Sequence, residues 1–146
     1  MQDAAHVSAI RTAVGALNSG DLDGYFAAFV PECLRWVPGL PEPLSLAEIR
    51  ASIEALRRGF ADLSLKEQLL FGDDRYVCAH WHITGKHSGD YLDLAPTGRS
   101  IAVQSAEIYE FERGEGGLVC ASWSFGDPSD LLSQLGALRT GGRAKT

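Results

Sequence analysis

Glu107 is a lone carboxylate in the middle of a run with period-two alternation. Alternation puts Val103, Ser105, Glu107, Tyr109 and Phe111 on one face of a strand. On an apolar inner face, loss of water disfavours the charged form of such a group. It is then suited to proton transfer or to bonding a polarised carbonyl. The competing reading is a Glu paired with His or Arg, or one turned outward, because isolated carboxylates are seldom buried without reason. Arg35 is the second group, a cation inside a short apolar segment. It either binds a substrate carboxylate or pairs with Glu107, since a strand-borne Arg rarely stays buried unpaired. His80 and His82 share one face of a strand, with His87 just beyond. Two His at that spacing can ligate metal, but no acidic or Cys partner lies at matching spacing, so no metal site is expected. One His is instead expected to pair with Glu107 or to lie on the outer, dimer-facing side of the sheet, and His82 is a candidate substrate contact. Asp127 precedes Pro128, a pairing that a helix N-cap already accounts for.

These groups need a frame. Val7, Ile10, Val14 and Leu17 form one helical stripe that Asn18-Ser19-Gly20 stops. Asp21 starts a second helix carrying Leu22, Tyr25, Phe26 and Phe29, and Pro31 ends it; residues 33–37 then read as a short strand. Ser45-Leu46-Ala47-Glu48 is a capping box that opens a third helix with Leu46, Ile49, Ile53, Leu56 and Phe60 at helical spacing. The period then falls to two. Leu63, Leu65, Leu69 and Phe71 mark the buried face of a strand, followed by strands over 75–85, 99–112 and 118–125. A last helix starts at Asp127-Pro128. Helices first and then four consecutive antiparallel strands predict an α+β fold with a pocket between the layers. Tyr25, Phe29, Trp36, Trp81, Tyr109 and Phe125 are the aromatic candidates for its lining, against the alternative that they are plain core.

The chain has 146 residues, which suits one domain over 1–138 with a disordered tail over 139–146. A net charge of −6 argues against nucleic acid as a partner, and no apolar run is long enough to span a membrane. Cys33, Cys78 and Cys120 are odd in number, widely spaced and in apolar surroundings, which reads as reduced thiols in the cytoplasm. The N-terminus shows no signal peptide.

Five segments then acquire a common meaning. Gly85-Lys86-His87-Ser88-Gly89, Pro96-Thr97-Gly98-Arg99, Ile108-Tyr109-Glu110-Phe111, Trp123 followed by Asp127, and Gln134-Leu135-Gly136 together resemble the SnoaL-like polyketide cyclases of the NTF2-like (ketosteroid-isomerase-like) fold. The resemblance covers most of the chain. It implies a cone in which a curved antiparallel sheet wraps the N-terminal helices around an apolar cavity. It also implies a homodimer through the outer sheet face and cofactor-free ring closure of a small polyketide by intramolecular aldol chemistry. Relatives on this fold hydroxylate or isomerise.

Two positions depart from the pattern. The family's Asp directly after the Trp is Ser124 here, and a His two residues before the aromatic position is Glu107. A hydroxyl cannot replace a carboxylate as a base near neutral pH. The resemblance therefore implies Glu107 as acid/base or hydrogen-bond partner. Ser124 and Tyr109 would hold a substrate oxygen, and Trp123 would turn outward. Tyr25, Arg35, Trp36, Trp81, His82 and Phe125 are the expected substrate contacts. A cofactor-independent cyclase is expected, closing its ring by proton transfer or by shape alone, as in a cycloaddition. The alternatives are a cofactor-free hydroxylase or isomerase, and a non-catalytic binding protein for an apolar metabolite.

Overall fold

The computed structural model describes residues 2–137; the expected tail, 139–146, lies outside the described residues. The first apolar stripe forms α1 (Gln2–Asn18), whose Ile10, Val14 and Leu17 are buried. Its last residue is tied down: the Asn18 side-chain amide donates to the Leu65 carbonyl at 2.9 Å and accepts from the Leu65 N–H at 2.8 Å. Asp21 caps the short α2 (Leu22–Phe26) by accepting from the Gly24 N–H at 2.9 Å.

The chain then departs from expectation. Strand β1 (Phe29–Trp36) begins four residues before the predicted start and contains Pro31. It runs parallel to β6 (Val119–Gly126), and its register is broken between Phe29 and Leu34. Pro31 falls in that irregular stretch, where its missing N–H interrupts no regular ladder. A two-residue strand, β2 (Leu44–Ser45), pairs with β1 and was not legible in the sequence. The capping box is formed as predicted. Glu48 N–H donates to Ser45 Oγ at 3.2 Å and Ser45 N–H donates to Glu48 Oε1 at 2.9 Å, opening α3 (Leu46–Gly59).

Strands β3 (Ser64–Gly72), β4 (Tyr76–Lys86), β5 (Ser100–Phe111) and β6 are antiparallel neighbours, and α4 (Pro128–Gln134) follows. The six strands form one curved, unclosed sheet in the order β2-β1-β6-β5-β4-β3. The α+β class expected from the sequence is the observed one. The core lies between α1–α3 and the inner sheet face, where Phe29, Val77, Trp81 and Tyr109 pack against Ile10, Val14 and Ile49.

Strand β3 carries the second departure. Leu65 and Leu70 face inward, opposite Ile83 and Ala79, but Leu69 and Phe71 face outward and are 57% and 59% exposed. The register shifts between Glu67 and Leu69. A bulge adds one residue to one strand, and because side chains alternate with period two, everything after it changes face. Among the described residues no helix is long and apolar enough to cross a membrane.

The capping box has a measurable worth. Ser45→Ala is expected to lower stability by about 1 kcal/mol, seen as a lower urea midpoint at unchanged slope. An unshifted midpoint would show that α3 is held by packing alone.

Candidate functional site

Two cross-strand rows on the inner face assemble the polar groups. Arg35 of β1 lies beside Ser122 of β6, which lies opposite Tyr109 of β5. In the next row Ser124 of β6 lies opposite Glu107 of β5. Ser122 and Ser124, and likewise Glu107 and Tyr109, are two residues apart on one strand and so share a face, and Arg35 is in register with Ser122 on that face. The Tyr109 hydroxyl donates to one Glu107 oxygen. The Ser124 hydroxyl donates to the other at 3.1 Å, and Arg35 Nη1 stands 3.9 Å from that same oxygen. Arg35 Nε–H donates to Ser122 Oγ at 3.0 Å, and Nη2–H donates to the Tyr25 hydroxyl at 3.2 Å. The guanidinium also lies over the Phe29 ring, 5.9 Å from its centroid. The Arg35 and Glu107 side chains are only 8% and 13% exposed.

The electrostatics follow from this burial. Burial, and then the Glu107 charge, hold the Tyr109 hydroxyl well above the usual phenol range. Burial raises Tyr25 as well, partly opposed by Arg35. For Arg35, burial works against the charge, but Tyr25, Glu107 and Tyr109 outweigh it and the group is raised overall. The site therefore holds two neutral phenols and a permanent cation around one carboxylate.

These groups form the polar end of a cavity of about 210 Å³. Its other walls are mostly apolar, with Val14 and Leu17 of α1, Ile53 and Leu56 of α3 and Ile83 of β4, and they include Ser52 and Ser105. A second space of about 300 Å³ shares Leu56, Ile83, Ser105 and Ser124 with the first. It continues outward past Tyr91, Pro38 and Leu131 to the start of α4. The two spaces adjoin across these shared residues, and together they give a mostly apolar channel with a charged, hydroxyl-rich end.

The structure brings Tyr25, Arg35, Glu107, Tyr109 and Ser124 together and separates the other candidates from them. Trp81 faces inward but is wedged in the core, where its indole N–H has no partner. Trp36, expected in the pocket, is 40% exposed and stacks on Trp123 at 5.5 Å between ring centroids. It is one residue from Arg35, so the pleat turns it to the outer face. Phe125 has the parity of Trp123 and is likewise outside. His82 pairs with Gln104 and Lys66 on the outer face, and His80 bonds Gln104 there. His87 is buried in the 87–99 loop, where its Nδ1 meets Thr97. No His reaches Glu107; its charged partner is Arg35.

Asp127 caps α4, accepting from the Ser129 and Asp130 N–H groups at 3.0 and 3.3 Å, and edges the channel mouth. The Ser129 side chain leads the causes that hold its carboxyl below the usual range. Ser122 was missed in the sequence, although its parity with Ser124 is the signal that finds it. No three His, Cys, Asp or Glu side chains among the described residues are grouped to hold a metal.

A family model described as SnoaL-like polyketide cyclase matches residues 7–135. The chain belongs to that family. AclR from Streptomyces galilaeus, a proposed hydroxylase, shares 24% identity over 92% of this chain and 98% of its own, with a TM-score of 0.82. TsrD from Streptomyces laurentii shares 26% over 92% and 97%, with a TM-score of 0.77. IdmH from Streptomyces antibioticus, a proposed polyketide cyclase, shares 22% over 88% and 96%, with a TM-score of 0.75. No curated protein matches the chain. The fold of this SnoaL-like protein is thus NTF2-like, as its residues implied, and its role is of the polyketide-cyclase type.

The buried phenols predict an alkaline limit. Unfolded tyrosines ionise near 10, whereas Tyr25 and Tyr109 are raised in the folded state. Their contribution to stability is full below about 10 and is lost as the pH climbs toward the folded-state values. Urea midpoints across that range are expected to fall, and Tyr109→Phe is expected to make the fall shallower. An equal fall in Tyr109→Phe would contradict the assignment.

Proposed function

We propose that this protein is a cofactor-independent cyclase that closes a ring in a polyketide intermediate, with Glu107 as acid/base. The observation that carries the reading is the position of the Glu107 carboxylate. It sits at the end of a mostly apolar channel, flanked by the Ser124 and Tyr109 hydroxyls. An elongated substrate enters oxygen-bearing end first and is folded by the apolar walls, which bring its reacting carbons together. Glu107 takes a proton from a carbon beside a carbonyl. The new carbon nucleophile attacks a second carbonyl of the same chain, and the proton returns to the resulting oxygen. The Ser124 hydroxyl can turn from Glu107 to a substrate oxygen. On this reading Ser124, standing where the family's Asp is expected, has lost proton transfer and kept contact, while Glu107 has taken the proton.

A second reading is favoured by one feature of the same site. Glu107 already accepts from two hydroxyls and faces Arg35. A carboxylate so engaged is also consistent with a structural role, in which the channel merely orients a polyene or polyketide chain for a closure that needs no proton transfer.

The two readings separate in one experiment. Linear polyketide chains are supplied to wild type and Glu107→Gln, and cyclic product is followed by mass spectrometry across a range of pH. Proton transfer predicts a loss of kcat of about 10²–10⁴-fold and a pH-dependent wild-type rate. Unchanged, pH-independent turnover would remove Glu107 from the chemistry and leave orientation alone.

The functional unit proposed is a homodimer through the outer sheet face. Its support is the row of exposed apolar side chains there, including Trp36, Phe125, Leu69 and Phe71. Light scattering is expected to give twice the 15.7 kDa chain mass. Trp36→Glu combined with Phe125→Glu is expected to give monomer. A monomeric wild type would end the proposal.

A further inference from the structure

Arg35 carries more hydrogen-bond capacity than the protein uses. A guanidinium has five N–H donors in a planar fork. Nε–H is taken by Ser122 and one Nη2–H by Tyr25. Nη1 faces Glu107 across 3.9 Å, beyond hydrogen-bond range. Both sides of that gap line the cavity. A nearly buried guanidinium with unmet donors is well placed only if something in the cavity accepts from it. The other polar side chains of the lining, Ser52 and Ser105 among them, make no hydrogen bond to Nη1.

We propose that Arg35 Nη1 is the oxyanion-binding donor of this site, and that its substrates carry an enolisable ketone, a β-dicarbonyl or a phenol whose oxygen accepts from Nη1 on the cavity side, next to Glu107. The catalytic consequence rests on the proton-transfer reading above; the binding claim does not. The charges balance through the step. A neutral substrate arrives in the cavity alongside the Glu107 carboxylate and the Arg35 cation. Glu107 takes the proton from the carbon beside the carbonyl, and the C–H electron pair becomes a C=C bond. The carbonyl π pair moves onto oxygen, leaving an enolate against Nη1 and a neutral Glu107. The negative charge has moved from carboxylate to substrate while the net charge of the site is unchanged, so no new charge is created in a buried space.

The geometry supports Arg over any other cation. Ser122, Tyr25 and the Phe29 ring hold the guanidinium plane of this cavity-lining residue, leaving Nη1 as its nitrogen without a hydrogen bond. The donor is thus oriented before the substrate arrives and does not reorganise when charge develops. A Lys ammonium is a point charge on a flexible stem and cannot hold both anchors while reaching a third group. Arg35 also cannot lose its proton to the substrate, which keeps proton transfer on Glu107.

2-Naphthol tests this without any turnover, because its neutral and ionised forms absorb differently. Difference absorbance is recorded in neutral buffer with wild type, Arg35→Met, Arg35→Lys and Glu107→Gln, after circular dichroism confirms each fold. The expected result is saturable binding to wild type with part of the bound naphthol ionised. The ionised fraction should be at least about tenfold smaller in Arg35→Met and intermediate in Arg35→Lys. Glu107→Gln leaves the cation without its counter-charge and should bind the naphtholate more tightly than wild type, increasingly so as pH rises. A bound naphthol that is neutral in wild type, identical spectra in wild type and Arg35→Met, or no saturable binding would each overturn the proposal. If Arg35→Met does not fold, Arg35→Lys indistinguishable from wild type together with no gain in Glu107→Gln would overturn it as well. Turnover keeps the two ideas apart. Ionised naphthol at Arg35 with unimpaired Glu107→Gln turnover sinks the acid/base reading and leaves the oxyanion site standing.

Discussion

Arg35 and Glu107 set the terms for everything around them. Removing a guanidinium and a carboxylate from water is costly, and their attraction repays that cost only when the remaining donors and acceptors are also met. Here they stand 3.9 Å apart, and hydroxyls make up part of the shortfall: Ser122 and Tyr25 for the cation, whose Nη1 stays without a hydrogen bond, and Ser124 and Tyr109 for the anion. Four elements must hold their places for this to work, namely α2, β1, β5 and β6. The ion pair therefore couples the start of the chain to its end. It also explains why β1, an otherwise irregular strand broken around Pro31, is pinned beside β6 at Arg35 and Trp36.

The cavity is the space this polar cluster leaves against the helices. Residues of α1 and α3 supply the apolar walls, and their stripes cover the inner sheet face rather than filling it. The result is an asymmetric container, with hydroxyls and a charge pair at one end and mostly apolar walls elsewhere. The outer sheet face repeats the contrast in another sense. Its Trp36, Phe125, Leu69 and Phe71 are exposed apolar groups with no role in the cavity.

The bulge in β3 and the pleat of β1 show how little separates inside from outside. One extra residue after Glu67 sends Leu69 and Phe71 outward and brings Leu70 in. One step along β1 separates a buried cation, Arg35, from an exposed indole, Trp36. Residue type alone points the other way in both cases, since large apolar side chains are ordinarily the ones assigned to an interior. The physical arbiter is register, which depends on the partner strand and not on the residue itself.

By itself the sequence determined what local rules govern: α1 from its stripe, α3 from its capping box, α4 from Asp127-Pro128, and the shared face of Glu107 and Tyr109 from alternation within one strand. The order of its motifs carried the family and hence the cone. Tertiary structure alone decided which groups from different strands meet. Nothing in the chain states that Arg35, 72 positions before Glu107, becomes its partner while His82, far nearer, does not. That choice belongs to strand order and register: β1 joins the sheet between β2 and β6 with Arg35 on the inner face, and His82 lies on the face of β4 turned away. Periodicity is written into short stretches of sequence because it arises from the backbone's own geometry. Pairings between distant strands arise from packing the whole chain, and they become readable only when it has folded.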